Sequence, residues 1–326
     1  MPPEFDLTII ISSFNRDDKV GETLRQLFLS DVEGLGRIEL LVVDDGSPKR
    51  VADVIEKIGA VPKTFDLRLI DQANSGIGAT RNRGYREARS DLVLFLDDDI
   101  LVKKDTIKAM LKAMAETSAA VIFGGYPFVS HSSESLRRFA VELYGYDKLT
   151  DTENFEQVDA ITSGLLIVDK SKLPDCQNLY RNDMTIPAAE EHEVIARFHK
   201  IGIPIFYARH ISGIHNHHLE LNWLVQQQYK YGLATAEAFA KVPEIAEMKS
   251  FAELRSKLNF ARGGVRNVTK KVLASPLGRT SLLIVARLLE KFFSRRSHNR
   301  LFGVMATAYF WGGFESGRER FERKGD

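Results

Sequence analysis

The sequence predicts an α/β fold: an open, mostly parallel sheet with helices on both faces, extended at its C-terminal end by helices. Three observations carry that expectation. Apolar, β-rich runs alternate with amphipathic helical stretches through the first part of the chain. Each early run ends in small polar or acidic residues. From about Leu221 onward the pattern becomes helical and, beyond Pro243, basic.

The elements follow in order. Residues 7–14 (LTIIISSF) are continuously apolar rather than alternating, as expected of a strand covered on both faces. Residues 18–29 place Val20, Leu24, Leu27 and Phe28 on one helical face. A second strand, 38–47, ends in Asp44, Asp45 and a glycine turn, and the helix at 51–59 is closed by Gly59. A third strand spans 65–72, a helix 78–88, a fourth strand 91–99 and a further helix 104–116. Right-handed crossovers would put these helices on both faces. Residues 119–128, 159–170 and 203–208 read as strands, and 189–201 as a helix ended by Gly202. Open α/β sheets bind ligands beyond the carboxyl ends of their strands. The polar clusters Ser12–Arg16, Asp44–Ser47, Asn74–Gly78 and Asp97–Asp99 all fall there.

Composition bounds the answer. The 326 residues are 44% hydrophobic and 27% charged, an ordinary globular mix with enough chain for an unstapled core. The single cysteine, Cys176, excludes an internal disulfide framework and any Cys-rich zinc module, and reads as a small buried hydrophobe. No basic stretch precedes the first apolar run, so no signal peptide is expected. No run of about 18 consecutive apolar residues predicts a membrane span. The expected setting is a reducing cytosol.

The formal net charge of +1 conceals an asymmetry. Residues 250–326 hold 16 Lys and Arg against 6 Asp and Glu, which leaves a balance of −9 for everything before them. Within this tail, 281–293 and 301–314 are apolar but too short to cross a bilayer. They either pack as a helical subdomain or form an interfacial patch, where Arg295, Arg296 and Arg300 would suit phosphate headgroups. A nucleic-acid partner is disfavoured, because the expected cleft is acidic.

Three adjacent carboxylates, Asp97, Asp98 and Asp99, repel one another and call for a cation. Oxygen ligands suit Mg²⁺ or Mn²⁺. In extended chain Asp97 and Asp99 share one side, so they either share a metal or divide it from a sugar hydroxyl. Neither GxGxxG nor GxxxxGK[ST] stands at a strand end, so a nucleotide would be held by side chains and a metal rather than by a glycine cradle.

The segments IISSFNR, LLVVDDGS, NSGIGATRNRG and LVLFLDDDI, in that order across residues 7–100, resemble the inverting family-2 glycosyltransferases of the GT-A fold. The resemblance implies a nucleotide-diphosphate sugar as donor, UDP first, with GDP or dTDP as alternatives. It implies Asp45 at the nucleobase, Ser13, Asn15 and Arg16 at base and ribose, and Arg81 and Asn82 of the RNRG segment beside ribose and diphosphate. Asp99 becomes a ligand of Mn²⁺ or Mg²⁺, with Asp97 or Asp98 on the ribose or the metal's shell. Glu190 and Glu191 open the helix at 189–201; Glu191 stands where the family carries its aspartate and is the expected general base, with Glu190 the alternative. Of His210, His215, His217 and His218, His215 is the favoured metal ligand and His217 the next. Ser163 and Gly164 resemble the segment lining the acceptor side of the sugar pocket, to which His217 and Trp223 are added; Trp223 fits helical core spacing equally well.

The implied organisation is a nucleotide-sugar half (1–118), an acceptor and catalytic half (119–242) and a basic helical extension (243–326). The implied reaction is a single displacement onto a glycan or lipid-linked acceptor hydroxyl, in polysaccharide, glycolipid or other cell-surface glycan assembly. The expected place is the cytoplasm, peripheral on the inner membrane face through contact of the tail with anionic lipid. Two alternatives stand beside it. A related nucleotidyltransferase would usually carry a glycine- and lysine-rich N-terminal loop, which is missing, and a non-catalytic module would bind sugar nucleotides without turnover.

Overall fold

A computed structural model describes residues 5–174, 177–248, 272–292 and 296–322. Cys176 and Arg295 lie outside the described residues. The strands are β1 (Leu7–Ser13), β2 (Ile38–Asp44), β3 (Phe65–Asp71), β4 (Leu92–Asp97), β5 (Ile100–Val102), β6 (Val121–Gly125), β7 (Phe155–Gln157), β8 (Leu165–Asp169) and β9 (Ile205–His215). The helices are α1 (Asp17–Phe28), α2 (Val51–Ile58), α3 (Ile77–Glu87), α4 (Thr106–Thr117), α5 (Glu134–Leu143), α6 (Ala189–Ile201), α7 (Leu221–Lys241), α8 (Pro276–Phe292) and α9 (Arg296–Glu322). The chain divides into two compact units, one of residues 1–129, 145–182 and 197–217, the other of 130–144, 183–196 and 218–326.

The first unit holds a nine-stranded sheet in the order β3-β2-β1-β4-β8-β6-β9-β5, with β7 paired to β9. β3, β2, β1 and β4 run parallel, as their apolar runs predict. Alternation along β1 sorts its side chains between two layers. Leu7, Ile9 and Ile11 join a core with Val20, Leu24 and Leu27 of α1, Val51 of α2 and Ile107 and Met110 of α4. Ile10 faces the opposite side, where Gly84 lets α3 sit directly on it; a Cβ there would lie 2.5 Å from Ile10 Cγ2. Helices therefore cover both faces.

The remaining strands are mixed rather than parallel. β8 enters the sheet from the carboxyl edge, where Asp97 N donates to Gly164 O (3.1 Å), and so runs antiparallel to β4 and β6. β9 is longer than the strand expected at 203–208, because its second half pairs with β5, a three-residue strand directly after the acidic turn. β5, β7 and α5 are elements that the sequence pattern did not announce.

The second unit is helical. α9 lies along α7 at very close range: a Cβ on Gly232 would collide with Phe310 O, and one on Gly313 with Tyr229 O. Phe302, Met305, Tyr309 and Phe314 of α9 are buried, and Phe302 meets Phe139 of α5 at 5.6 Å between ring centroids. The guanidinium of Arg279 lies over the rings of Tyr229 (4.8 Å) and Tyr309 (5.6 Å). Much of the apolar tail is thus consumed by packing. Leu277, Ile284 and Val285 of α8 remain exposed. Among the described residues, no helix is long and apolar enough to cross a membrane.

Candidate functional site

Register assembles the site. Parallel pairing sets Ser13 beside Asp44 and Ser12 beside Asp97, so three strands end at one level. β4 then runs through Asp98 and Asp99 into β5, whose first residue, Ile100, pairs with His215. That pairing selects one imidazole of the four: His215 Nε2 lies 3.4 Å from Asp99 Oδ2, and Asn216 N donates to Asp99 O (2.7 Å). His215 is stacked on Phe128 (4.5 Å) and meets the edge of Tyr126 (5.8 Å). His217 sits one ring further out, 6.0 Å from His215, its pKa lowered by burial and by the neighbouring imidazole. His210 lies elsewhere on β9, against Phe155, and His218 pairs with Ser130 in the second unit.

The three aspartates have different surroundings. Asp97 takes a hydrogen bond from Arg81 (2.8 Å). Asp98 is 5% exposed; its carboxylate accepts from Ser13 Oγ (2.7 Å) and Arg16 Nη1 (3.2 Å). Burial pushes its pKa up to about 7, against the pull of Arg16 and with the repulsion of Asp99 added. Asp99 is buried as well, but His215 and Arg16 outweigh the desolvation and hold its pKa below the usual carboxylate range. Arg16, half-exposed, reaches both acids, lying 2.5 Å from Asp99 Oδ2. Asn15 delivers it: its backbone is left-handed (φ 55°) and its N–H donates to Ser47 Oγ (2.8 Å). Among the described residues, no three His, Cys, Asp or Glu side chains are arranged to hold a metal ion. Asp99 and His215 stand side by side, carboxylate to imidazole.

Two of the residues expected at the nucleotide spend their polar atoms on loops. Asp45 accepts from Gln72 Nε2 (2.7 Å), Ser75 N (2.9 Å), Ser75 Oγ (3.0 Å) and Gly76 N (3.0 Å), fixing the turn into α3. Asn82 donates to Tyr180 O (2.6 Å) and Asn182 Oδ1 (2.7 Å) and accepts from Leu179 N and Tyr180 N, pinning the 179–182 loop. That loop delivers Tyr180, whose hydroxyl donates to Ser163 Oγ (2.9 Å) and whose ring lies under Arg81 (5.6 Å). Gly164 is required here: a Cβ would meet Tyr126 at 2.9 Å and Asp97 Oδ2 at 3.0 Å.

Glu190 (3% exposed) and Glu191 open α6 in the second unit, directly after Ala188, whose φ is +80°. Trp223 is half-buried in the first turn of α7, also in the second unit. Sequence reasoning missed Phe14, 48% exposed at the end of β1, and Tyr126 and Tyr180. An exposed aromatic inside the polar segment SSFNR was the available signal for Phe14. Tyr126 and Tyr180 become visible only once β8 and the 179–182 loop are placed.

Fold and site together define a GT-A-type architecture, and comparison with known proteins agrees. The profile of glycosyl transferase family 2 matches residues 8–173, just over half the chain. The chain belongs to glycosyl transferase family 2. It is 27% identical over 143 residues to TuaG of Bacillus subtilis, a protein named for a glycosyltransferase role in teichuronic acid biosynthesis, covering 43% of this chain and 55% of that one. It is 24% identical over 172 residues to the glycosyltransferase GlyA of Streptococcus pneumoniae, covering 51% of this chain and 24% of that one. The chain thus spans about half, or less, of the length of these relatives. Among solved structures, the mannosyltransferase PcManGT of Pyrobaculum calidifontis, in complex with GDP-Man and Mn²⁺, superposes with a TM-score of 0.60 at 14% identity, covering 96% of this chain and 89% of that one. S. aureus TarS 1–349 with UDP gives 0.51 at 16% identity, covering 99% and 92%. Such likenesses establish the shared fold.

Proposed function

We propose that the protein is an inverting glycosyltransferase that moves a sugar from a nucleotide-diphosphate donor to an acceptor hydroxyl. The observation that carries the reading is the pole at Asp97–Asp99, where clustered carboxylates meet Arg16, Arg81 and His215 at the strand ends. A family-2 profile over residues 8–173 supports it. So do neighbours of the same fold bound to GDP-Man with Mn²⁺ and to UDP. UDP-sugars come first as donors, GDP- and dTDP-sugars next, and the acceptor is a glycan or lipid-linked sugar of a cell-surface polymer.

An ionised Asp99 and the imidazole of His215, 3.4 Å apart, make an oxygen–nitrogen donor pair suited to Mn²⁺ and tolerant of Mg²⁺. Asp99 and His215 would hold such an ion. A bound divalent cation supplies charge neutralisation for the departing diphosphate. In this reading Ser13, Asn15 and the loop ordered by Asp45 frame the base and ribose, and Phe14 offers a flat apolar face for the base. Arg81 approaches the diphosphate, with Asp97 or Asp98 at the ribose. Ser163, Gly164, His217 and Trp223 border the sugar and acceptor.

Glu191 takes the acceptor's hydroxyl proton as general base, Glu190 being the alternative. The acceptor oxygen bonds to the anomeric carbon as the bond to the diphosphate breaks, and the nucleoside diphosphate leaves. One displacement inverts the centre through an oxocarbenium-like transition state. A panel of nucleotide sugars scored for Mn²⁺-stimulated nucleotide release tests the activity. One donor should stand well above the rest, and release from none of them with an added glycan acceptor would refute it. An α-linked donor should yield a β-linked product; an α-linked product would refute inversion. The exposed Leu277, Ile284 and Val285 of α8 favour peripheral contact with an anionic membrane. Co-sedimentation with vesicles should rise with their anionic lipid content, and indifference to it would remove that contact.

A further inference from the structure

The second unit contains a buried carboxylate that the proposed reaction does not use. Glu237, on α7, is 0% exposed. Its two oxygens accept from Thr185 N (2.9 and 3.0 Å), Thr185 Oγ1 (2.7 Å) and Ile186 N (2.7 Å). Lys241, one turn on, lies 2.8 Å from Oε1 and also donates to Asp183 O. Burial alone would push this carboxyl up, but the bonds from Lys241, Thr185 and Ile186 prevail and its pKa is lowered. An ionised carboxylate is acceptor-only, which suits a cup made solely of donors.

What this carboxylate holds is the segment that launches α6. Ile186 O accepts from Ala189 N (3.0 Å), and Ala188 between them adopts φ +80°. A left-handed alanine is strained and persists only where its surroundings impose it. Glu190 and Glu191 follow at once. A second tie joins the same turn to α7: His192 Nε2 lies 3.3 Å from Thr235 Oγ1. That hydroxyl already donates to Tyr231 O (2.8 Å), so His192 must donate and carries its proton on Nε2. Burial lowers the His192 pKa to about 4, which keeps the ring neutral. α7 is itself braced by the close glycine contacts with α9.

We propose that Glu237 is a positioning residue for the acid pair: by clamping Thr185 and Ile186 to α7 it fixes the strained turn at Ala188 and thereby aims the carboxylates of Glu190 and Glu191. This rests on the reading of that pair as the general base. The carboxylate would serve neither donor binding nor proton transfer itself, so its loss should appear in kcat and not in the donor KM.

The test compares Glu237→Gln, Thr185→Val and Glu191→Gln in the 326-residue chain, each checked by its melting transition. Glu237→Gln turns one acceptor oxygen into a donor facing donors, and Thr185→Val removes the hydroxyl alone. Glu191→Gln should abolish turnover. Glu237→Gln should then lower kcat by about 30-fold or more with the donor KM within twofold, and Thr185→Val by several-fold in the same sense. Glu237→Asp should recover part of the loss. An inactive Glu191→Gln beside a fully active Glu237→Gln overturns the positioning role and leaves the base reading intact. A proportional rise in the donor KM also overturns it. An active Glu191→Gln passes the base to Glu190, and if Glu190→Gln is active as well the base reading falls and the positioning role with it. Should Glu237→Gln not fold, Thr185→Val decides: unchanged kcat overturns the proposal.

Discussion

The two ends of the parallel strands treat buried negative charge in opposite ways. At the amino end, Glu39 is fully buried and answered completely. Arg68 donates twice to Oε1 (2.9 and 3.2 Å), and Thr8 Oγ1 (2.8 Å) and Arg89 N (2.9 Å) donate to Oε2. Arg68 is then shared with Glu87. At the carboxyl end, three successive aspartates face two arginines and one histidine, and the buried Asp98 is driven up to about 7. One pole satisfies its charge and is structural. The other concentrates charge of one sign that repels itself, the arrangement expected where a cation and a charged ligand are to be received. The contrast also shows why acidic residues alone do not mark a site: Asp44, at the same pole, spends its carboxylate on Ser47 N and Val51 N at the entry to α2.

Exchanging the two poles by mutation should give the largest effects. Asp99→Ala should reduce turnover by about a thousand-fold, the scale of losing a charge-organising group, with little change in the melting transition. Glu39→Ala should do the reverse. It leaves Arg68 with Glu87 alone and takes the buried acceptor from Thr8 and Arg89 N, and should cost about 3 kcal/mol, read by urea unfolding, while the folded fraction keeps its specific activity. An Asp99→Ala enzyme that turns over normally, or a Glu39→Ala protein as stable as the parent, would erase the distinction.

The same contrast explains what could be read from the amino-acid order. β1, β2 and β4 were legible because continuous apolar runs of Val, Ile, Leu and Phe state their burial locally, and the serines or aspartates that end them state where the runs stop. The family resemblance, from four short segments, then supplied the architecture. The mixed half was not legible, because β8 runs antiparallel through where it enters the sheet, not through its composition. His215 was favoured among the four histidines, but its place beside Asp99 rests on the pairing of Ile100 with His215, a register across more than a hundred residues. Arg16 was expected at the nucleotide; its grip on Asp98 and Asp99 comes from a left-handed Asn15 that no pattern announces. Nothing in the sequence singles out Glu237, since the loop it clamps is 51 residues away.

A third way of burying a titratable group sharpens the comparison, and its effect is intermediate. His192 in the second unit gives up its charge, with a folded pKa of about 4. The unfolded chain titrates near the ordinary value of about 6.5. Between those values the unfolded state binds the extra proton, so stability is complete above about pH 6.5 and declines as pH falls toward 4. The loss should reach about 3 kcal/mol at most. Denaturation midpoints between pH 8 and 4.5 should fall less steeply for His192→Gln than for the parent. Parallel curves would show that the ring takes up its proton as readily when folded.

The smallest effect tests whether the carboxyl pole is held ready by its own arginine. Arg16 lies 2.5 Å from Asp99 Oδ2 and 3.2 Å from Asp98 Oδ1, so a divalent cation bound through Asp99 must displace it or share the carboxylate with it. Its side chain is 52% exposed, and a half-exposed ion pair contributes only about 1 kcal/mol. Arg16→Gln should therefore tighten Mn²⁺ binding by roughly five- to tenfold in a titration without donor, followed by the loss of the free-ion EPR signal. The matching change at the amino pole, Arg68→Gln, should leave Mn²⁺ binding where it was and lower stability, because Glu39 has no cation to receive. If both variants bind Mn²⁺ like the parent, Arg16 does not compete for Asp99, and the two poles differ in acid count alone.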